Sequence, residues 1–496
     1  MNLRPAALML ASLPLCAATC ESLASLSLPH TTIASARVYA AGEFQVQNGQ
    51  PGRTLPAFCR VQGVMKPADD SEIPFEVWLP AAMWNGKFRG IGNGGFAGSM
   101  SRGELAGALV SGYAAAATDT GHQAGGTDAT WALGHPQKVV DFGWRAIHET
   151  AETGKAITAA FYGEAPRHAY FMGCSNGGRQ ALMEAQRFPD DYEGIVAGAP
   201  ANYWTHLMTR ALWDVQALMN DPAAYIPASK VPTIEDAVLQ ACDAMDGVTD
   251  GIINDPPRCQ FDPAVLLCQQ GDSDTCLTAP QVGALRKLLS GPKNSKGASV
   301  FPGAALGGAA GNGGWSSWLL GSAPGKSSGY AFGTQFFTNM VFENAAWDFH
   351  QFNVDRDMKA ADAKLAGTLN STDPDLRRFR DRGGKLILYH GWSDSGIPAR
   401  NTVDYFNSVE QKMGAKSVET FVRLYLVPGM QHCGGGPGPN AFNMAGALER
   451  WVEQGAAPEQ IIARKDQRTR PLCPYPQTAK YTGKGSTDDA ANFVCK

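Results

Sequence analysis

Residues Gly173-Cys174-Ser175-Asn176-Gly177 have the form G-x-S-x-G. That spacing sets a serine on a sharp turn between a strand and a helix, where small flanking residues avoid clashes. The context fits. Arg167–Met172 is a short, aromatic-rich apolar run that reads as a strand, Gln180–Arg187 has helix composition, and Phe188-Pro189 ends it. A serine presented this way can act as a nucleophile in acyl transfer once a base takes its proton. Its partners are expected later in the chain, the acid before the histidine. Asp394 lies on the loop after the strand Gly383–His390, and His432 lies on a glycine-rich loop after the strand Phe421–Val427. His390 and Asp404 compete for these roles. His390 ends inside a strand and Asp404 falls in a helix, which favours Asp394 and His432. The bland alternative for the motif is a glycine-rich structural turn.

The elements needed to hold such a triad are those of an α/β-hydrolase fold. A short strand at Phe88–Ile91 runs into Gly92-Asn93-Gly94-Gly95-Phe96-Ala97-Gly98. That is where such a fold places half of its oxyanion hole, with Gly94 and Gly95 as backbone donors and the Asn176 N–H as the other half. The cluster is not followed by Gly-Lys-Ser/Thr, which argues against a phosphate loop. Gly112–Asp119 reads as a buried parallel strand, Gly194–Pro200 as a later strand and turn, and an amphipathic helix is expected from about Pro136. His122 and His135 are expected to be structural, with a substrate-lining role as the alternative.

The chain has 496 residues, more than one ordinary core accommodates. A net charge of −4 offers no basic footprint for nucleic acid. Met1–Arg4 followed by the apolar run Ala6–Leu15 reads as an export signal over residues 1–18. Lipidation at Cys16 is disfavoured because Leu15 is bulky. No other stretch is long and apolar enough to span a membrane. A soluble protein, secreted or periplasmic, is expected, as monomer or dimer. Of 11 cysteines, ten remain after Cys16 is removed, an even number suited to disulfides. Local spacing suggests Cys242–Cys259, Cys268–Cys276 and Cys473–Cys495, with Cys20–Cys59 near the N-terminus. Cys174 and Cys433 remain, beside Ser175 and His432. If the serine and the histidine meet, their sulfurs are close enough to bond.

The expected organisation is a first catalytic part over 19–202, a lid domain over 203–372 inserted between late strands, and a second catalytic part over 373–496. The lid aromatics Trp315, Trp318, Phe336, Phe337, Phe342 and Trp347 could line a flat apolar pocket, although most are expected to be lid core. Within the lid, Asp243, Asp246 and Asp250, with the carbonyls of Val248 and Ile252, form a hard oxygen set suited to a structural Ca²⁺. No organic cofactor is expected. The alternative is a solvated acidic loop.

The pairing of Cys174-Ser175, Asp394 and His432-Cys433 resembles the signature of the tannase and feruloyl esterase family, and the likeness covers nearly the whole mature chain. The resemblance implies an α/β-hydrolase with a calcium-bearing lid that hydrolyses small aromatic carboxylate esters. The family includes hydrolases of mono(2-hydroxyethyl) terephthalate, in which a lid arginine clamps the substrate carboxylate. Between Gly311 and Phe349 this chain has no Arg, only Lys326. The expected order of substrates is therefore hydroxycinnamoyl (feruloyl) esters, then galloyl esters, then the terephthalate monoester. A carbohydrate-binding protein on an inactive hydrolase fold is the non-enzymatic alternative.

Overall fold

A computed structural model describes residues 17–46 and 54–496. All but the last two residues of the export segment lie outside it. Nine strands form the main sheet: β1 (Thr31–Tyr39), β2 (Phe58–Met65), β3 (Ile73–Pro80), β4 (Lys87–Ile91), β5 (Ala114–Thr118), β6 (His168–Cys174), β7 (Gly194–Gly198), β8 (Lys385–Gly391) and β9 (Val422–Val427). Their spatial order is β1-β2-β3-β5-β4-β6-β7-β8-β9. The first three pair antiparallel, and β3 meets β5 antiparallel. Every pairing from β5 to β9 is parallel. This is an α/β-hydrolase sheet.

The sequence explains the layering. Every residue of β5 and β7 is buried, as expected for parallel strands covered on both faces. Alternate residues then supply two cores. Phe171, Ile195, Leu386 and Leu424 pack on one side. Tyr170, Val196, Ile387 and Tyr425 pack on the other, beneath the helix Met444–Gln454.

Parallel strands carry all their carboxyl ends to one edge. The loops after β4, β6, β8 and β9 therefore converge although they are far apart in sequence. The catalytic loops expected from the sequence are those four, and ligands in open α/β sheets bind at that edge.

No strand of the sheet lies between β7 and β8. This segment is built of helices, among them Trp204–Met219, Val231–Cys242 and Ala279–Ser290. One of its cores takes in Phe96 and Phe142 from the catalytic side, so the insertion packs directly on the loop after β4. A second core gathers around Cys242, Cys259 and Trp315. The helix expected from Pro136 is interrupted: Pro136–Val140 passes through a π-turn over Asp141–Arg145 into Ala146–Tyr162. The nucleophile helix begins earlier than its composition suggested, at Asn176.

Among the described residues five disulfides close: Cys20–Cys59, Cys174–Cys433, Cys242–Cys259, Cys268–Cys276 and Cys473–Cys495. Such a set belongs to proteins that fold in an oxidising compartment. Among the described residues no helix is long and apolar enough to cross a membrane.

Candidate active site

Ser175 stands at the tip of the turn between β6 and its helix, with φ 66° and ψ −123°. A non-glycine residue rarely adopts such a φ, and the surroundings must hold it there. Its N–H donates to Gly198 O at 2.9 Å, and its carbonyl accepts from Arg179 at 3.0 Å and Ala201 at 3.1 Å. The glycines of the motif are needed for close approach. A Cβ on Gly173 would stand 2.5 Å from the Gly177 backbone, and one on Gly92 would stand 2.7 Å from Gly177 Cα. The nucleophile turn and the loop after β4 thus touch backbone to backbone.

Arg179, one helical turn after the serine, is fully buried. Its guanidinium donates to the carbonyls of Phe142, Gly143 and Leu369, and Nε donates to Asn176 Oδ1. It also lies over the rings of Phe142 and Trp204. Burial lowers its pKa to about 9. It bolts the helix after Ser175 to the insertion, a role the sequence did not signal.

Asp394 is inaccessible to solvent and accepts four hydrogen bonds. Oδ1 takes the N–H groups of Gly396 and Ile397 at 2.9 and 2.8 Å. Oδ2 takes His432 Nδ1 at 2.7 Å and His390 Nε2 at 3.1 Å. Burial by itself would raise the Asp394 pKa. The charge of His432 and the two imidazole hydrogen bonds outweigh burial and hold it well below the ordinary carboxylate range. Because the carboxylate only accepts, the His432 proton sits on Nδ1 and leaves Nε2 as a base. His390, the competitor read from sequence, is buried in β8 behind the acid. It faces Asp394 and the Ile397 carbonyl with Nε2, and Thr402 Oγ1 with Nδ1. Asp404 is half-exposed and pairs with Arg400.

The disulfide Cys174–Cys433 links the residue before Ser175 to the residue after His432. Both side chains open to one cavity of about 320 Å³, which Gly94 and Gly95 also line. The N–H groups of Gly94 and Gly95 have no protein acceptor among the described residues, and that of Asn176 is at the first helical position, where no intrahelical partner exists. The loop that carries the glycines is fixed by Asn93, whose Nδ2 donates to Ser99 O and Thr118 O and whose N–H meets Gln180 Oε1. A larger cleft of about 870 Å³ lies between the insertion and the helix Ala399–Met413. It touches none of Ser175, Asp394 and His432, so the smaller cavity is the one the chemistry can use.

The cavity walls come largely from residues to which the sequence assigned no role. One face of the helix Trp204–Met219 contributes Trp204, Leu207, Met208, Arg210 and Asp214, and Phe332 adds a ring. Of the six insertion aromatics named from the sequence, only Trp318 lines it. Trp318 sets its ring edge-on to His432 at 4.7 Å. Trp315, Phe336 and Phe337 are buried in the insertion's cores, and Phe342 and Trp347 pack on them. Lys326 is exposed and outside the cavity. His122 is buried against Trp131, with Nε2 2.7 Å from Phe96 O, and burial lowers its pKa to about 4. His135 meets Asp70 near the surface.

A sequence model described as "Tannase and feruloyl esterase" matches residues 59–496. The chain belongs to this family. An uncharacterized esterase of Xanthomonas campestris is 44% identical, with 96% of this chain and 91% of that protein covered. The mono(2-hydroxyethyl) terephthalate hydrolase of Piscinibacter sakaiensis is 36% identical, with coverage of 89% and 85%. The crystal structure of feruloyl esterase B from Aspergillus oryzae superposes with a TM-score of 0.87 at 28% identity, covering 96% and 99%. The protein is thus a carboxylic ester hydrolase on an α/β-hydrolase fold.

The acidic loop of the insertion is arranged as follows. Asp243 accepts from the N–H groups of Asp250 and Gly251, and Asp250 Oδ2 takes Arg470 Nη2 at 2.5 Å. Asp246, Val248, Asp250 and Ile252 line a small cavity with Arg470. Burial, then the charges of Asp250 and Asp243, raise the Asp246 pKa. Burial raises that of Asp250 against the pull of Arg470 and Arg468. Among the described residues, no three acidic, histidine or cysteine side chains converge as a ready metal cluster.

Proposed function

We propose that the protein is an exported serine esterase that cleaves aromatic carboxylic esters, with hydroxycinnamoyl esters of the feruloyl type preferred. The observation that carries this reading is the opening of Ser175 and His432 into a small cavity walled by Trp204, Trp318 and Phe332. Ser175 Oγ attacks the ester carbonyl while His432 Nε2 takes its proton, and Asp394 orients the imidazole and stabilises its cationic form. The N–H groups of Asn176 and of Gly94 or Gly95 hold the oxyanion. Collapse of the tetrahedral species expels the alcohol with the proton from His432. Water, deprotonated by the same imidazole, then releases the acid from the acyl-serine.

The test is hydrolysis of methyl ferulate, methyl gallate and mono(2-hydroxyethyl) terephthalate side by side, with Ser175→Ala as the control. The highest kcat/KM is expected for the ferulate. Lack of turnover for all three, with Ser175 still labelled by a fluorophosphonate, would discard the substrate class but keep the esterase machinery. Failure of that label to attach would favour a binding protein on an inactive fold.

The acidic loop supports a structural calcium ion held by Asp243, Asp246 and Asp250 with the carbonyls of Val248 and Ile252. The donors are hard oxygens, and burial, then the neighbouring charges of Asp250 and Asp243, disfavour the Asp246 carboxylate, a cost that a bound cation would relieve. Excess chelator is expected to lower the melting temperature by several degrees, reversed by added calcium, before it alters kcat. An identical melting curve with chelator and with calcium would leave Arg470 and Arg468 to balance the loop's carboxylates. Residues 1–18 are the proposed export signal, and N-terminal sequencing of the exported protein tests that boundary.

A further inference from the structure

Arg210 and Asp214 lie one turn apart on the inner face of the helix Trp204–Met219, both lining the cavity that holds Ser175. They are 2% and 3% exposed, an unusual depth for two charged side chains, and their hydrogen bonding is incomplete. Arg210 Nη1 donates to the carbonyls of Gly396 and Ser395, at 2.9 and 3.3 Å. Nε faces Asp214 Oδ2 at 2.9 Å without the alignment of a hydrogen bond. That leaves Nε and Nη2 of Arg210 and both oxygens of Asp214 without a hydrogen-bond partner. A buried group left in this condition costs free energy unless a ligand or water completes it.

We infer that this pair forms the polar end of the acyl pocket and recognises a phenolic hydroxyl on the acyl ring. The inference rests on the aromatic-ester reading and extends it to a substituent. A hydroxyl oxygen accepts from Arg210 while its proton goes to Asp214, so one small neutral group completes both side chains. Other substituents fail on one side. A carboxylate is opposed by Asp214, an ammonium is opposed by Arg210, and an ether accepts but leaves the carboxylate unpaired. The bare ring leaves both unpaired. The flat walls suit an arene, since the rings of Trp318 and Phe332 lie within 9° of parallel. Burial raises the Asp214 pKa to about 6 against the nearby Arg210 charge, so near neutral pH the carboxylate is available as acceptor.

The pair therefore reads the acyl substituent by two opposite charges at once. A site built to bond a hydroxyl rejects the analogue without it far more strongly than a greasy slot rejects a missing methylene. The sequence offered no lid arginine between Gly311 and Phe349. The structure supplies one from a different helix, already coupled to a carboxylate that turns it away from anionic rings.

The experiment measures kcat/KM of the wild-type protein for methyl cinnamate and for its 3-hydroxy, 4-hydroxy, 4-methoxy and 4-carboxylate derivatives. One of the hydroxylated esters is expected to exceed the unsubstituted ester by tenfold or more, with the methoxy and carboxylate esters at or below it. This series needs no variant and so does not depend on a substitution folding. In Asp214→Asn the hydroxyl preference is expected to shrink to about threefold or less. The 4-carboxylate ester should gain at least tenfold relative to methyl cinnamate, because Arg210 is then unopposed, a gain that a merely structural role would not produce. Hydroxylated and bare esters within twofold in the wild type would overturn the inference, as would an unchanged preference in Asp214→Asn. Turnover of methyl cinnamate without hydroxyl preference overturns this inference alone. No turnover of any cinnamate, with Ser175 still labelled by a fluorophosphonate, overturns the aromatic-ester reading and this inference with it.

Discussion

Asp394→Asn is expected to lower kcat for the preferred ester by about 10⁴, the size of loss seen when a triad acid is replaced by its amide. The hydrogen bonds around the site explain why so small a change costs so much. Gly396 and Ile397 donate to Oδ1, so an asparagine keeps its carbonyl oxygen there and turns its amide N–H toward His432 and His390. His390 cannot yield. Thr402 Oγ1 supplies its Nδ1, and Ile397 O holds the proton on Nε2. His432 must then carry its proton on Nε2, a donor where the proposed mechanism requires a base. A loss of less than tenfold would remove Asp394 from the triad.

The same substitution has a pH signature in stability. The folded-state pKa of Asp394 is depressed, so its contribution is present above the unfolded carboxylate value of about 3.9 and is lost as pH falls toward the folded value. The difference in urea midpoint between wild type and Asp394→Asn should be large at pH 7 and narrow progressively below about pH 4. A difference that stays constant with pH would mean that the cost of the substitution is steric.

Removal of the disulfide between the catalytic loops is expected to cost both stability and rate. Cys174 and Cys433 are separated by 259 residues. A chain-entropy estimate for a loop of that length is about 5.5 kcal/mol, against about 2.5 kcal/mol for the eight-residue separation of Cys268–Cys276. The larger difference is expected in kcat. Ser175 and Cys433 both hold positive φ, at 66° and 59°, and the covalent link helps to over-determine that geometry. Cys174→Ala/Cys433→Ala should lower the melting temperature more than Cys268→Ala/Cys276→Ala and reduce kcat at least tenfold. The second variant should leave kcat near the wild-type value. Equal kcat in the two variants would assign the catalytic-loop disulfide to stability alone.

What could be read from the chain alone followed from short-range sterics and from strand order. G-x-S-x-G implies a tight turn because Gly173 and Gly177 must approach backbone to backbone, a constraint contained within five residues. The apolar runs of β6, β7, β8 and β9 imply parallel strands, and parallel strands carry their loops to one edge. Ser175, Asp394 and His432 could therefore be singled out although more than 200 residues separate the first two. The pairing of the remaining cysteines was legible for a related reason, since each local pair is close in sequence.

The walls of the cavity beside Ser175 were decided by tertiary structure. Which face of Trp204–Met219 turns toward Ser175 depends on how the insertion packs on Phe96 and Phe142, and no local pattern encodes that. Arg210 and Asp214 have the i,i+4 spacing of any helical ion pair, and nothing in that spacing marks them out. Only the fold buries them beside the nucleophile. Likewise, of the six insertion aromatics named from the sequence, Trp318 alone reaches the cavity, where Gly396 leaves room for its ring, and the other five go to the cores. His390 was legible as a strand residue, but its contact with Asp394 arises from the turn that follows β8. Sterics and periodicity act over a few residues and leave a mark on the sequence. The placement of a buried charge depends on every element packed around it, and only the assembled structure determines that.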